Sequence, residues 1–211
     1  MYLPKHFTET DVTEMHALMR ARPLATLVSH GPDGLNANYI PLLLTDGKLQ
    51  GHVARANPLW QEGKATGEVL VIFHGDESYI SPSGYATKVE HGKVVPTWNY
   101  AAVHAYGELR VVDDPAWIFG QISALTATHE DPLSQPWAVS DAPADYIKMM
   151  LDAIVGIEIS ITRLLGKWKV SQNQPPENRA SLIAVLEKAG DPMAGLIRQR
   201  QHRSETDVCK P

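Results

Sequence analysis

Residues 24–54 read LATLVSHGPDGLNANYIPLLLTDGKLQGHVA, and the turn residues inside this stretch decide the fold. Leu24 to Ser29 is a short run of Leu, Thr and Val, which suit a pleated, half-buried surface. Gly31-Pro32-Asp33-Gly34 is a turn cluster, and Leu35 to Leu44 reads as the returning strand. Asp46-Gly47 then supplies a two-residue hairpin, so Lys48 to Ala54 pairs with the strand before it. The stretch is an antiparallel meander.

Upstream, Asp11 caps a helix with Glu14 three residues on, Met15, Leu18 and Met19 recur at helical spacing, and Arg22-Pro23 ends the run. Downstream, Asn57-Pro58 places a cap before a proline, so a helix is expected from Pro58 towards Ala65. Val69 to Phe73 is uniformly apolar, as in a strand buried on both faces. Gly75-Asp76-Glu77 reads as a turn into Ser78 to Ser81, and Pro82 to Val95 as an exposed loop. Ala102 to Val112 is a further strand, bent near Gly107. Asp113-Asp114-Pro115 starts a second helix, with Trp117, Ile118, Ile122 and Leu125 on one stripe and its end near His129. Ala144 to Ile154 is helical, Gly156 to Leu164 alternates like a strand, and Lys167 to Val170 continues the sheet after a turn at Gly166. Ser181 to Ala189 and Pro192 to Arg203 are terminal helices. No βαβ rhythm appears, which argues against a doubly wound parallel sheet. The pattern predicts a mainly β protein with peripheral helices, built on a small antiparallel barrel. It is expected to be one domain over 1–211, with a C-terminal helical extension from about residue 176.

Of the 211 residues, 44% are hydrophobic, enough for one substantial core. No apolar run approaches the roughly 20 residues that cross a bilayer, and the start lacks a secretory apolar stretch. The single cysteine, Cys209, cannot form an intramolecular disulfide. A cytoplasmic location is the expectation, with no membrane partner. The formal net charge is −5, and the densest basic stretch is Arg198, Arg200 and Arg203. Direct DNA binding is therefore poorly supported by charge, since such domains carry a basic stripe.

Nine histidines invite a metal, but His52, His74, His91, His104 and His129 fall in different segments without H-E-x-x-H or cysteine partners. No metal site is expected. No G-x-S-x-G, Walker loop or G-x-G-x-x-G occurs either. Three stretches carry the candidate chemistry. Gly51 to Pro58 runs from a strand into a helix start and reads as a phosphate cradle with Arg55 and Asn57, or as a capped helix with a surface arginine. Tyr79 to Lys88, resumed at Val95 to Tyr100, mixes ring faces with hydroxyl, amide and ammonium donors, as the wall of a planar anionic cofactor would. A proline-stiffened loop whose aromatics pack on the barrel has the same composition. Lys167 to Asn173 ends a strand in Ser-Gln-Asn, which suits either a ligand edge or a helix-capping loop.

The motifs GHVARANP (51–58), YISPSGYATK (79–88), VPTWNYAAVHAYG (95–107) and GKWKVSQN (166–173) occur in that order. With MYLPKHF at the start and PLATLVS…IPLLL in the hairpin, the sequence resembles the PaiB family of FMN-binding negative transcriptional regulators over roughly residues 1–200. Gly84 departs from that family's pattern, which has tryptophan there. The resemblance implies an antiparallel split β-barrel of the FMN-binding type, related in fold to pyridoxamine-phosphate oxidases and small flavin reductases. It also implies a homodimer with flavin sites at the subunit interface. By position, His52, Arg55 and Asn57 would lie on the phosphate side. Ser81, Tyr85, Lys88, Trp98 and Asn99 would complete the pocket, and Ser171, Gln172 and Asn173 would close it. Three functions follow as expectations: an FMN-dependent regulator, an NAD(P)H-dependent flavin reductase or other small FMN oxidoreductase, and a split barrel without cofactor, to which Gly84 points.

Overall fold

The fold is that of a computed structural model, which describes residues 1–62 and 68–208, with side chains described for 1–61 and 68–201. The 63–65 end of the helix expected after Pro58, and Cys209, lie outside the described residues. After a 3-10 turn at Lys5–Phe7 come β1 (Thr8–Glu9), α1 (Val12–Ala21), β2 (Leu24–Gly31), β3 (Gly34–Pro41), β4 (Leu43–Thr45), β5 (Lys48–Ala54) and α2 (Leu59–Glu62). Then follow β6 (Glu68–Ile80), a 3-10 turn at Pro82–Gly84, α3 (Lys88–His91), β7 (Thr97–Val112), α4 (Pro115–Glu130) and a 3-10 turn at Val139–Asp141. The chain continues with α5 (Ala144–Asp152), β8 (Ile154–Lys169), α6 (Pro176–Lys188) and α7 (Met193–Val208). The strands form one sheet in the order β3-β2-β6-β7-β8-β5-β4, with β1 added to β8. The pairs β2–β3, β2–β6, β4–β5, β5–β8 and β1–β8 are antiparallel.

The expected meander is present in part: the returning strand breaks at Leu42, only Lys48 to Gln50 pair with the strand before them, and Lys48 to Ala54 pair with β8 instead. Asp46 and Gly47 both take positive φ, 48° and 73°, the backbone that a two-residue hairpin needs, and Leu43 faces Gln50 across it. Two expected turns are absent. β6 runs unbroken through Gly75-Asp76-Glu77, and β8 runs through Gly166, which pairs with Glu9 of β1. Val69, Val71 and Phe73 are buried while Leu70 and Ile72 are half-buried, so this strand is more one-sided than its apolar run suggests. The reverse holds for β8, where Val155 to Ile159 are all buried instead of alternating. The segment after Ile80 is not a simple exposed loop, because Gly84, Tyr85 and Thr87 are buried. Lys88 to Lys93 are exposed, as are Ser83 and Val95.

The described residues sort into two compact units. One, the meander unit, holds Val12–Phe73 and His104–Leu164; the other, the motif unit, holds Met1–Asp11, His74–Val103 and the chain from Leu165. β6, β7 and β8 contribute residues to both. The meander unit buries Ala25, Leu27, Leu49, Val71, Phe73, Ile157 and Ile159 essentially completely. The motif unit has its own core of Ile80, Tyr85, Val170, Leu182, Ile183, Leu186, Met193, Ala194 and Ile197, with Val94 and Leu196 packed against it. Burying such side chains supplies about 1.5–3 kcal/mol each, the main term holding α6 and α7 in place. Those helices are thus built into the core that carries the motifs.

Candidate functional site

The YISPSGYATK motif leaves β6 at Ile80 and turns over Pro82–Gly84. Ser81 caps that turn, its Oγ accepting from Ser83 N at 3.2 Å. α6 then fastens the motif: Thr87 N donates to Asn178 Oδ1 at 3.0 Å, Ala86 N donates to Ser181 Oγ at 3.0 Å, and Ser181 Oγ donates to Gly84 O at 2.8 Å. A Cβ on Gly84 would lie 3.2 Å from Leu182 Cδ1. The position where the family pattern has tryptophan is here packed against α6, and its small side is filled by Leu182. Asn178 and Ser181 were missed in the sequence because α6 starts at Pro176, five residues before the expected Ser181; the cue is Pro175-Pro176, where proline suits a helix's first turn.

Beside this fastened turn the motif unit carries an exposed aromatic pair, the exposed Lys88, the half-buried Lys169 and the buried Lys167. Tyr79 and Trp98 are 53% and 54% exposed and pack edge to face, ring centroids 5.8 Å apart. Lys88 Nζ donates to Ser83 Oγ at 3.0 Å on the surface. Lys169 Nζ donates to Thr97 Oγ1 and to Trp98 O, while Lys167 Nζ lies 5.2 Å from the Tyr100 ring centre and 5.7 Å from that of Tyr2. Burial, with the neighbouring Lys167 charge adding to it, lowers the Lys169 pKa from its ordinary value. A second positive charge close by makes the ammonium costly, so an anion placed here would be stabilised by both lysines.

Beneath the face, Asn99 Nδ2 donates to Ser171 Oγ at 2.8 Å, and Ser171 holds a positive φ of 63°. Asn99 Oδ1 and the Tyr85 hydroxyl are buried without a hydrogen-bond partner. Burial raises the Tyr85 pKa; the Ser171 hydroxyl opposes this, although no hydrogen bond of ordinary geometry joins the two. Gln172 is consumed locally: its Oε1 accepts from Val170 N at 2.7 Å and its Nε2 donates to Trp168 O. Asn173 is exposed. Ser81, Tyr85, Lys88, Trp98, Asn99, Ser171, Gln172 and Asn173 therefore all belong to the motif unit.

His52, Arg55 and Asn57 belong to the meander unit, and each has a protein partner. Arg55 forms a two-pronged bridge to Asp113, at 2.7 and 3.1 Å, and also donates to Asp152 O and Ile154 O. Asn57 Oδ1 caps α2 by accepting from Leu59 N at 2.9 Å, and its Nδ2 donates to Asn38 Oδ1 at 2.8 Å. The backbone N–H groups of Arg55 and Asn57 go to Ala153 O and Ala54 O. The capped-helix reading describes this segment well. His52 Nδ1 meets Gln121 Oε1 of α4 at 2.9 Å.

A buried charge in the meander unit went unnoticed in the sequence. Glu158, 4% exposed on β8, accepts from Lys48 Nζ, Gln50 Nε2 and Arg110 Nη2 at 2.9–3.0 Å. Burial alone would push its carboxyl up; the three donors outweigh that and hold it below the ordinary value. Its place in an apolar alternation, Ile157-Glu158-Ile159, is the available signal.

The sheet order, peripheral helices and fastened motif loop define a class, the flavin-binding split barrel. An FAD- and heme-binding protein of Mycobacterium smegmatis has this fold, with a TM-score of 0.58 at 17% identity over 77% of this chain and 73% of its own. Residues 1–163 match the family described as "Putative FMN-binding domain". The chain belongs to that family, and FMN is its cofactor. An uncharacterized protein of Emericella nidulans is 34% identical over 95% of this chain and 97% of its own. Protease synthase and sporulation protein PAI 2 of Bacillus subtilis is 28% identical over 92% of this chain and 93% of its own.

The residues of the motif unit fit the cofactor. Exposed ring faces and clustered lysines suit a planar anion, and the buried, partnerless Tyr85 hydroxyl and Asn99 Oδ1 leave a donor and an acceptor over.

Proposed function

We propose that the chain is an FMN-binding homodimer that acts as a flavin-responsive negative regulator of transcription, with the flavin held on the Tyr79–Trp98–Lys169 face of the motif unit. The observation that carries this reading is the exposed Tyr79–Trp98 pair on β6 and β7, with Lys169 bonded to Trp98 O, next in sequence to the turn that α6 fastens and that holds Lys88 to Ser83. Bound FMN supplies a carrier of one or two electrons. The chain's own part is to bind the ring with Trp98 and Tyr79, to meet the phosphate with lysines, and to hold the turn still. Its net charge of −5 disfavours direct DNA binding, so the regulation proposed runs through a partner or a dimer-made patch.

Titration of the apo-protein with FMN, followed by quenching of flavin fluorescence, tests the site. Trp98→Ala is expected to weaken binding about tenfold, the scale of one aromatic contact, and Lys88→Ala about fivefold. Arg198→Ala, which removes only a surface pair with Glu187, is expected to leave it unchanged. Equal affinities in all three variants would refute the placement.

The open ring faces of Tyr79 and Trp98 also favour a second reading, an NAD(P)H-dependent flavin reductase, since hydride transfer between stacked rings needs no general acid. Anaerobic NADH or NADPH bleaches the flavin if the reductase reading holds. An unbleached flavin leaves the regulator.

A further inference from the structure

Within the meander unit, α4, the 3-10 turn at Val139–Asp141, α5, the start of β8 and the end of β5 line an open cavity of about 350 Å³. Its walls include Ile122 and Thr126 of α4, Trp137 before the 3-10 turn, and Tyr146 and Met150 of α5. Among the described residues no charged side chain lines it, and His52 supplies its one imidazole. Trp137 and Tyr146 are 47% and 50% exposed, large aromatic area left at the rim of a space that water would fill. The connection between the helices is pinned, Trp137 N donating to Glu130 Oε2 and Ala138 N to Asp141 Oδ2, both at 2.9 Å. The cavity is thus a formed feature of this unit.

Its polar end is specific. His52 Nδ1 meets Gln121 Oε1 at 2.9 Å, and the neutral tautomer in which Nδ1 donates to that oxygen has its lone pair on Nε2. Gln121 is 3% exposed, and its Nε2 is buried with no partner. A buried amide committed to orienting one imidazole, at the cost of its own donor, is a positioning arrangement. We propose that this cavity binds a neutral, largely apolar aromatic molecule carrying one hydrogen-bond donor, with His52 Nε2 as the acceptor. The volume falls in the range of small-molecule sites, roughly 300–1,000 Å³, and the lining excludes an anion. The inference does not rest on where the flavin binds.

The test uses the full chain loaded with FMN, titrated with 2-naphthol and with 2-methoxynaphthalene, which lacks the O–H, while tryptophan emission is followed. One saturable site is expected, with 2-naphthol binding about tenfold more tightly, the scale of one satisfied hydrogen bond. His52→Leu should erase the difference between the probes, and Thr126→Trp should weaken both at least tenfold by filling the space. Ala142→Phe fills the same space from the opposite wall and decides the matter if the tryptophan variant does not fold. Equal affinities of the two probes, binding unmoved by either filling variant, or release of one FMN per probe bound would overturn the proposal.

Discussion

At position 84 a missing side chain is a packing decision. Gly84 lies in the 3-10 turn that α6 fastens, and Leu182 occupies the space a larger residue would need. A tryptophan there must displace a leucine that is 2% exposed. Gly84→Trp is expected to destabilise the protein by about 1–3 kcal/mol, the usual penalty for overpacking, and Gly84→Ala by less because one Leu182 methyl can give way. Urea unfolding checks both, and an unchanged midpoint in the tryptophan variant would mean that α6 does not sit on the turn. Glu158 argues at the same scale from charge. Its folded pKa is lowered, so its stabilisation is present above the unfolded value of about 4.3 and is lost as pH falls through the lower folded value. Glu158→Gln is expected to lose about 1.5–3 kcal/mol at pH 7, the worth of hydrogen bonds to a charged group. That deficit should shrink as pH falls through the lowered folded value, because the wild-type carboxyl is then protonated too. A deficit that stays constant on acidification until the protein unfolds would assign the effect to packing.

Elements show how far local sequence reaches. The meander's two turns, the Asn57 and Asp114 caps and the helices α1, α4 and α5 were legible, since each depends on residues within one turn of chain. The unbroken β6 and β8 were not. Gly75-Asp76-Glu77 and Gly166 have turn composition, but β6 is flanked by β2 and β7, and Gly166 is held by Glu9, more than 150 residues away in sequence. Ladder pairing on such strands outweighs a local preference worth at most about 1 kcal/mol. The candidate site was half legible for the same reason. Its aromatics and lysines stand in the motifs, whereas Asn178 and Ser181, which fix the motif turn, lie on a helix the motifs do not contain. Asn178→Ala is expected to leave Thr87 N without its acceptor, costing about 1–3 kcal/mol of stability. It should weaken FMN binding although Asn178 is 2% exposed and faces no open surface. Ser181→Ala should do the same more mildly. FMN titration beside urea unfolding separates the two effects; undiminished FMN affinity in both variants would show that the turn keeps its shape without α6.

For the whole molecule, the proposed homodimer needs a surface, and the β2–β3 hairpin offers one. Cross-strand partners share a sheet face, and the pairs Leu24–Pro41, Thr26–Tyr39, Val28–Ala37 and His30–Leu35 stand side by side. Leu24, Leu35 and Tyr39 on that face are 63%, 79% and 76% exposed, and no Lys, Arg, Asp or Glu interrupts it. Isolated exposed apolar residues are ordinary, but a contiguous strip on an edge strand invites pairing unless charges guard it. Among the described residues β3 is such an edge, with only β2 beside it in the strand order. A self-complementary two-fold contact through this face would cover both strips at once. The chain is then expected to elute at twice its 23.2 kDa mass with or without FMN. Tyr39→Lys combined with Leu35→Lys should shift it to the monomer, because four desolvated ammonium groups would meet across the contact. If the monomeric double variant binds FMN as tightly as the wild type, the flavin face is complete within one chain. If affinity falls with the dimer while far-ultraviolet circular dichroism is unchanged, the partner contributes to the site. A double variant that still elutes as a dimer would place the contact elsewhere on the molecule.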